Sequence, residues 1–388
     1  MKENYLFVID RIENGGAERQ LLKVAGYLPN NINVFITSLH TPSNELLISI
    51  KGYGFTYTPV STSRGSRFYQ RIFGVFNLIR ALKKLLVSHK IHCCVSFLEW
   101  SNVLTIIAVK NKAIPVCINV RNHLSTQYGT RSSLVLKLAK LIIGRYYPRA
   151  DKVLCNSYGI KTDLVEAFKV PYGLVDVIQN TYPINIITEN IGTFDFTRRE
   201  ADSKVFCACG RLSDQKRFES LVLSFQEYIK KSKRNDSLLI IGSGGNENVI
   251  RKLIQEGDAE IKLSPHQNNP FPTIAACDCF VLHSEFEGFP NVLAEALILG
   301  KDCISVDCLT GPREVLSGNV ITDYKIPINE LKVLEYGLLY PYNKLNIEVD
   351  VGLVNALYNY SKGEYVFNKD DYDFLCEQKG KIKWLKAL

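Results

Sequence analysis

The chain has 388 residues, 46% hydrophobic and 22% charged, a balance that excludes a disordered chain and leaves room for two domains. Its apolar runs fall far short of the roughly 18 residues a membrane span needs. The opening MKENYLFVID lacks the charged, then apolar, then small-residue order of a secretory signal. The net charge of +8 is unevenly placed, with 16 Lys and Arg against one acid, Glu99, between Leu46 and Ala150. A one-sided excess of this kind marks a polyanionic partner: nucleic acid, anionic lipid headgroups or a pyrophosphate-bearing substrate.

In chain order, YLFVID (5–10) is a strand that ends at a glycine loop and leads into a helix. Strand-like runs recur at 32–39, 92–98, 115–120 and 152–157, with helical stretches between them. The pattern restarts at 204–210 and continues through 237–244, 278–284 and 301–307. Such alternation predicts an α/β fold of two doubly wound, mostly parallel sheets. The expected organisation is an N-terminal domain over 1–182, a polar linker over 183–203 and a C-terminal domain over 204–364. A terminal helix over 365–388 is expected to pack back across a central cleft.

Between Arg64 and Lys90, cations (Arg64, Arg67, Arg71, Arg80, Lys83, Lys84, Lys90) interleave with Phe68, Tyr69, Ile72, Phe73, Val75 and Phe76. That mixture on a helix suits a membrane interface. The run SSLVLKLAKLIIGRYY (132–147) reads either as a second such helix or as a core helix with a basic edge. No RNA-binding signature or zinc finger accompanies the charge, so nucleic acid is set aside. Eleven cysteines are scattered, with Cys207/Cys209 and Cys277/Cys279 spaced along one strand face and no C-x2-C pairs for zinc. They read as buried, reduced thiols of a cytoplasmic protein.

Loops at the carboxyl ends of the predicted strands carry phosphate-gripping groups. Gly15 and Gly16 follow the first strand and open a helix, so backbone N–H groups can face an anion, although a Gly-Gly pair also serves as a plain turn. Arg211 and Lys216, in GRLSDQK, can clamp a diphosphate or stand as surface charges. GSGG (242–245) is a third candidate loop. In SEFEGFPNVLAEAL (284–297), Glu287 sits in a loop and Glu295 about one turn inside the following helix. Phe289, Pro290, Asn291 and Val292 lie between them, and the helix start is available to a phosphate.

Together these segments resemble a retaining glycosyltransferase of the GT-B fold, family 4, over almost the whole chain. GGAER resembles the family's N-terminal glycine loop, GRLSDQK its phosphate clamp, and NPFP with SEFEGFPNVLAEAL its E-x7-E signature. TGPREVL (310–316), NSYGIKTDL and VIQNTYP resemble further family segments. The resemblance implies a nucleotide-sugar donor, UDP-sugar favoured, held mainly by the C-terminal domain. Arg211 and Lys216 would neutralise the leaving diphosphate, Glu295 would bind the ribose, and Glu287 would contact the donor sugar as a catalytic candidate. Phe289, Pro290, Asn291 and Val292 would line the donor site, and Gly15 and Gly16 would let the backbone approach the diphosphate. His123 is the match to the family's N-domain histidine near the donor sugar, or else an ordinary loop histidine; Arg121 is an alternative contact.

No metal and no cofactor beyond the donor are expected. The acceptor implied is a lipid-diphosphate-linked oligosaccharide in surface polysaccharide biosynthesis, met at the anionic inner face of the cell membrane by a peripherally bound, cytoplasmic enzyme. A soluble transferase acting on a small acceptor and a non-catalytic membrane-binding protein are the rival readings. The chain departs from the family at Thr181, at Pro265 and His266, and at Arg217, where glycine is frequent.

Overall fold

The computed structural model describes residues 2–11, 16–40, 44–60, 68–192, 202–308, 310–319, 326–343, 348–363 and 365–388; at 44–46, 49 and 68–73 only the backbone is described. The chain divides into two compact units. The first is formed by 1–180 with 380–388, and the second by 181–379.

The first unit runs β1 (Glu3–Ile9), α1 (Gly16–Tyr27), β2 (Ile32–Ser38), α2 (Asn44–Gly52), β3 (Thr56–Tyr57), α3 (Phe68–Ser88), β4 (Cys93–Phe97) and α4 (Glu99–Val109). It continues through β5 (Val116–Val120), α5 (Leu124–Gly129), α6 (Ser133–Tyr146), β6 (Lys152–Cys155), α7 (Tyr158–Glu166) and β7 (Val175–Val177). Its sheet is ordered β3-β2-β1-β4-β5-β6-β7. The strands are near-continuous apolar runs because helices cover both faces of a parallel sheet. Leu82 and Leu86 of α3 and Ala139 and Ile143 of α6 pack in one cluster with Val8, Cys94, Ile118 and Val153. Leu21 and Val24 of α1 pack on the other face with Phe7, Val95 and Phe97.

The second unit runs α8 (Ile184–Glu189), β8 (Val205–Cys209), α9 (Phe218–Ser232), β9 (Ser237–Ile241), α10 (Glu247–Gln255), β10 (Glu260–Ser264), α11 (Phe271–Ala275) and β11 (Cys279–Leu282). It continues through α12 (Asn291–Ile298), β12 (Asp302–Asp307), α13 (Pro312–Leu316), β13 (Lys332–Leu334), β14 (Gly337–Pro341) and α14 (Val351–Ser361). Its order is β10-β9-β8-β11-β12-β14-β13, parallel except for the terminal β13–β14 pair. Both sheets reverse their winding beside the first strand, between β1 and β4 and between β8 and β11. Open α/β sheets bind ligands outside the carboxyl ends of such strands.

The expected linker is in part structured: α8 lies within it and buries Ile187 against the second unit's core. The expected terminal helix is shorter than 365–388. A single 3-10 turn at Asp373–Leu375 precedes α15 (Glu377–Ala387), because Asp370, Asp371 and Asp373 favour turns over helix interior. At its far end, Trp384 is fully buried, stacked on Phe97 at 6.3 Å, and Lys152 Nζ donates to the Ala387 carbonyl at 2.8 Å. All eleven cysteines are free thiols, nine of them buried. Among the described residues no helix is long and apolar enough to cross a membrane.

Candidate functional site

In the second unit, the loops after β8 and β11 meet at the switch point. The first is pinned by Gly210 N–H donating to the Ile241 carbonyl and Leu212 N–H to the Ser243 carbonyl, each at 3.0 Å. A Cβ at Gly242 would lie 1.9 Å from the Gly210 carbonyl oxygen, and one at Gly244 2.2 Å from that of Leu212. These glycines of GSGG are therefore required by the close approach of loop to loop, whatever else the loop holds. Glu285 N–H donates to the Gln215 carbonyl at 2.7 Å, and Gln215 Nε2 to the Phe286 carbonyl at 2.8 Å. This lacing brings Lys216 Nζ to 2.5 Å from Glu287 Oε1, with both side chains mostly buried.

Glu287 is held from behind as well, its carbonyl accepting from Thr310 Oγ1 at 2.5 Å. Phe289 and Pro290 are buried, and α12 begins at Asn291 with no side-chain cap. Asn291 Oδ1 accepts from the Tyr182 hydroxyl at 2.7 Å. Val292 and Glu295 are half-buried on the first turns of α12, and Arg211 is exposed on the same loop as Lys216. The structure thus brings together Lys216, Glu287 and an uncapped helix start, an arrangement that can hold an anion beside a carboxylate.

Two further side chains support this site: His283, which no sequence motif marks, and Arg217, marked in the sequence only as a departure from the family. His283 is buried between Tyr340 (Nδ1 to hydroxyl, 2.5 Å) and Ser220 (Nε2 to Oγ, 3.0 Å), and Ser220 Oγ donates to the Glu348 carbonyl. With Ser220 donating onward, His283 Nε2–H donates to Ser220 and Nδ1 accepts from Tyr340. Burial, with Arg217 nearby, drives its pKa well below the ordinary value, so the ring stays neutral. It anchors the end of β11, four residues before Glu287. Arg217 adopts the left-handed region at φ +51, which accounts for glycine being frequent there. Its buried guanidinium lies 3.8 Å from Asp350, the cap of α14, and over the Tyr342 ring.

In the first unit, the carboxyl edge carries Asp10 after β1, Glu99 at the start of α4, and Arg121 and His123 after β5. Asp10 Oδ1 accepts from Ser101 N–H (2.7 Å) and Oγ (2.6 Å). Arg121 is buried and donates to Asn180 Oδ1 at 2.5 Å. His123 caps α5: Thr126 N–H donates to its Nδ1 at 3.3 Å, and its Nε2 lies 3.7 Å from Asp163. Burial lowers the His123 pKa and Asp163 opposes the shift. A capping role is thereby built into this residue whatever else it touches. Gly15 lies outside the described residues, and Gly16 is exposed at the first position of α1.

Glu99 is buried at the start of α4, behind Leu98 at φ +74. Burial and the neighbouring Asp10 push its pKa up to about 7, opposed by its own backbone N–H, the Gln127 side chain and Arg131. A cavity of 650 Å³ opens instead at the amino edge of β5, near Lys110, Lys112 and Arg149, and contains none of these groups. Among the described residues, no three His, Cys, Asp or Glu side chains gather as a metal set.

The family described as Glycosyltransferase Family 4 matches residues 14–185, and Glycosyl transferases group 1 matches 193–333. The chain is 29% identical over 256 residues to an uncharacterised glycosyltransferase of Methanocaldococcus jannaschii, covering 64% of this chain and 62% of that one. It is 32% identical over 178 residues to a Campylobacter jejuni N-acetylgalactosamine-N,N'-diacetylbacillosaminyl-diphospho-undecaprenol 4-alpha-N-acetylgalactosaminyltransferase, covering 45% and 47%. The chain therefore spans less than two thirds of the length of either relative. Among solved structures, Anabaena HepE in complex with UDP superposes with a TM-score of 0.68 at 15% identity, covering 99% of this chain and 100% of that one. The two family matches lie between residues 14 and 333, and the two Rossmann-like sheets form the GT-B fold.

Proposed function

We propose that this glycosyltransferase moves a hexose or N-acetylhexosamine, with retention, from a UDP-sugar to a lipid-diphosphate-linked oligosaccharide at an anionic membrane surface, without a metal ion. The observation that carries the reading is the Lys216–Glu287 pair beside the uncapped start of α12. In the resting protein Glu287 holds the ammonium in place; a donor diphosphate entering there would share it, leaving Glu287 to accept from the sugar's hydroxyls. Breaking the anomeric carbon–oxygen bond puts negative charge on the departing diphosphate. Lys216, Arg211 and the helix start would stabilise that charge without proton transfer. The acceptor hydroxyl would form the new bond on the face the diphosphate leaves, its proton passing to the diphosphate oxygen as UDP departs.

The Campylobacter relative's name supports both the lipid-diphosphate acceptor and the α linkage. The UDP in the Anabaena structure supports the base. Membrane contact is supported by α6, where Ala139 and Ile143 face the core while Leu134, Leu138 and Leu141 are exposed beside Lys137, Lys140 and Arg145. A purely soluble transferase has no use for that stripe.

Thermal melting against UDP, GDP and their sugars tests the donor site. At about 100 times its dissociation constant a ligand should add roughly 2.7 kcal/mol. UDP but not GDP is expected to raise the melting temperature, and Lys216→Ala to abolish the shift. An equal shift with GDP, or one that survives the substitution, would overturn the assignment. Turnover undiminished by EDTA is expected if the cations replace a metal.

A further inference from the structure

We infer that Tyr182 is a positioning residue for donor binding. Its hydroxyl holds the Asn291 side-chain oxygen away from the start of α12, so the helix keeps its first amides for the donor's diphosphate. The inference rests on the transfer reading above and deepens its account of the donor site.

Tyr182 is fixed at three points, all within the second unit. Its N–H donates to the Leu375 carbonyl at 2.7 Å, and its own carbonyl accepts from Glu377 N–H at 3.1 Å. These bonds lace it as a parallel bridge to Cys376. The ring is buried in one cluster with Ile187, Leu293 and Leu375. With backbone and ring both held, the hydroxyl has one place to go. It donates to Asn291 Oδ1 at 2.7 Å, across 109 residues of sequence.

The choice of acceptor carries the argument. Asn291 is the first residue of α12, and Pro290 before it offers no side-chain cap. The Leu293 and Ala294 N–H groups turn back to the Pro290 carbonyl, each at 3.2 Å. The amides ahead of them are the ones an anion beside Lys216 would use. Asparagine oxygens accept readily from backbone N–H groups at helix starts, which makes asparagine a favoured cap. Asn291 is the only polar side chain in the first turn, NVLA. Released from Tyr182, its oxygen would compete with the diphosphate for those donors. A buried tyrosine hydroxyl needs some partner; this partner is the one whose capture leaves the helix start uncapped.

UDP and uridine separate this role from general support of the fold, since only UDP carries the phosphates. Tyr182→Phe keeps the ring and removes the hydroxyl alone. Calorimetric titration of the full chain is expected to show UDP binding weakened about two- to tenfold, the worth of one hydrogen bond. Uridine binding, followed by saturation-transfer NMR, is expected to stay the same. In an Asn291→Ala background there is no oxygen to restrain, so the same substitution should leave UDP affinity unchanged. Melting of the unliganded proteins reports that each is folded. If Tyr182→Phe binds UDP as the unaltered protein does, the positioning role is wrong while the donor reading stands. Equal weakening of UDP and uridine, or the same loss of UDP affinity in both backgrounds, would show that Tyr182 acts by another route and overturn the inference. If the unaltered protein binds no UDP, the transfer reading fails and the positioning role fails with it.

Discussion

Glu99 illustrates how a single residue can work against the fold that contains it. Its carboxyl is raised from the ordinary 4.5 to about 7, chiefly by burial and then by Asp10. Because the folded state prefers the neutral acid, the stability Glu99 contributes is fully present below about pH 4.5 and is lost as the pH rises through about 7. Glu99→Gln keeps the shape without the ionisation. It is expected to be more stable than the unaltered protein by about 2 to 3 kcal/mol at pH 8, the gap closing as the pH falls toward 4.5. Denaturant unfolding at several pH values reads this directly. A constant gap across that range would show that the Glu99 pKa is the same folded and unfolded, contrary to the upward shift.

At the scale of elements, the strands were the most legible part of the sequence. CCVSF, VCINV, VFCAC and SLLII are mostly apolar runs with at most one Ser or Asn because each is buried on both faces, so they stand out without alternation. β3, β7, β10, β13 and β14 are not legible in the sequence: the first four are short or partly exposed, and β14, GLLYP, is bounded by a glycine and a proline as a turn would be, while α8 and the 3-10 turn before α15 depend on apolar residues that matter only through tertiary packing. The second-unit site was legible because Lys216 and Glu287 belong to local motifs. The Asp10–Glu99 pair was not, since 89 residues separate two single acids that only the sheet order brings together. α6 could be read as a core or a membrane helix, and both features occur on opposite faces: Ala139 and Ile143 inward, Leu134, Leu138 and Leu141 outward. Replacing those three exposed leucines by serine should leave the melting temperature nearly unchanged, since little buried area is lost. It should weaken sedimentation with phosphatidylglycerol vesicles by about tenfold or more, at about 1.5 to 3 kcal/mol per fully buried leucine. Unaltered sedimentation would remove α6 from the membrane contact.

At the scale of the molecule, charge and apolar surface coincide. Residues 46–150 carry 16 basic side chains against one acid, more than the whole net charge of +8, while 151–388 hold 27 basic against 33 acidic side chains. α3 exposes Arg80, Lys83 and Lys84 with Phe76 and Val87, and it packs into the same cluster as α6, so both helices cover the same face of the first sheet. Arg64 and Arg67 of the interleaved stretch lie outside the described residues. A face of this composition should be drawn to anionic lipid by long-range attraction and held there by its leucines and phenylalanine. The two contributions separate by salt. The electrostatic part, about 1 kcal/mol per basic residue near an anionic surface, fades as the Debye length shrinks from about 10 Å at 0.1 M to about 3 Å at 1 M. Binding to phosphatidylglycerol vesicles is therefore expected to fall steeply between those concentrations but not to vanish. Lys83→Glu with Lys84→Glu should flatten the salt dependence, whereas the three leucine substitutions should lower binding at every salt concentration. Salt-independent binding, or equal binding to neutral phosphatidylcholine, would mean that the cationic face serves the phosphates of a substrate and not those of a bilayer.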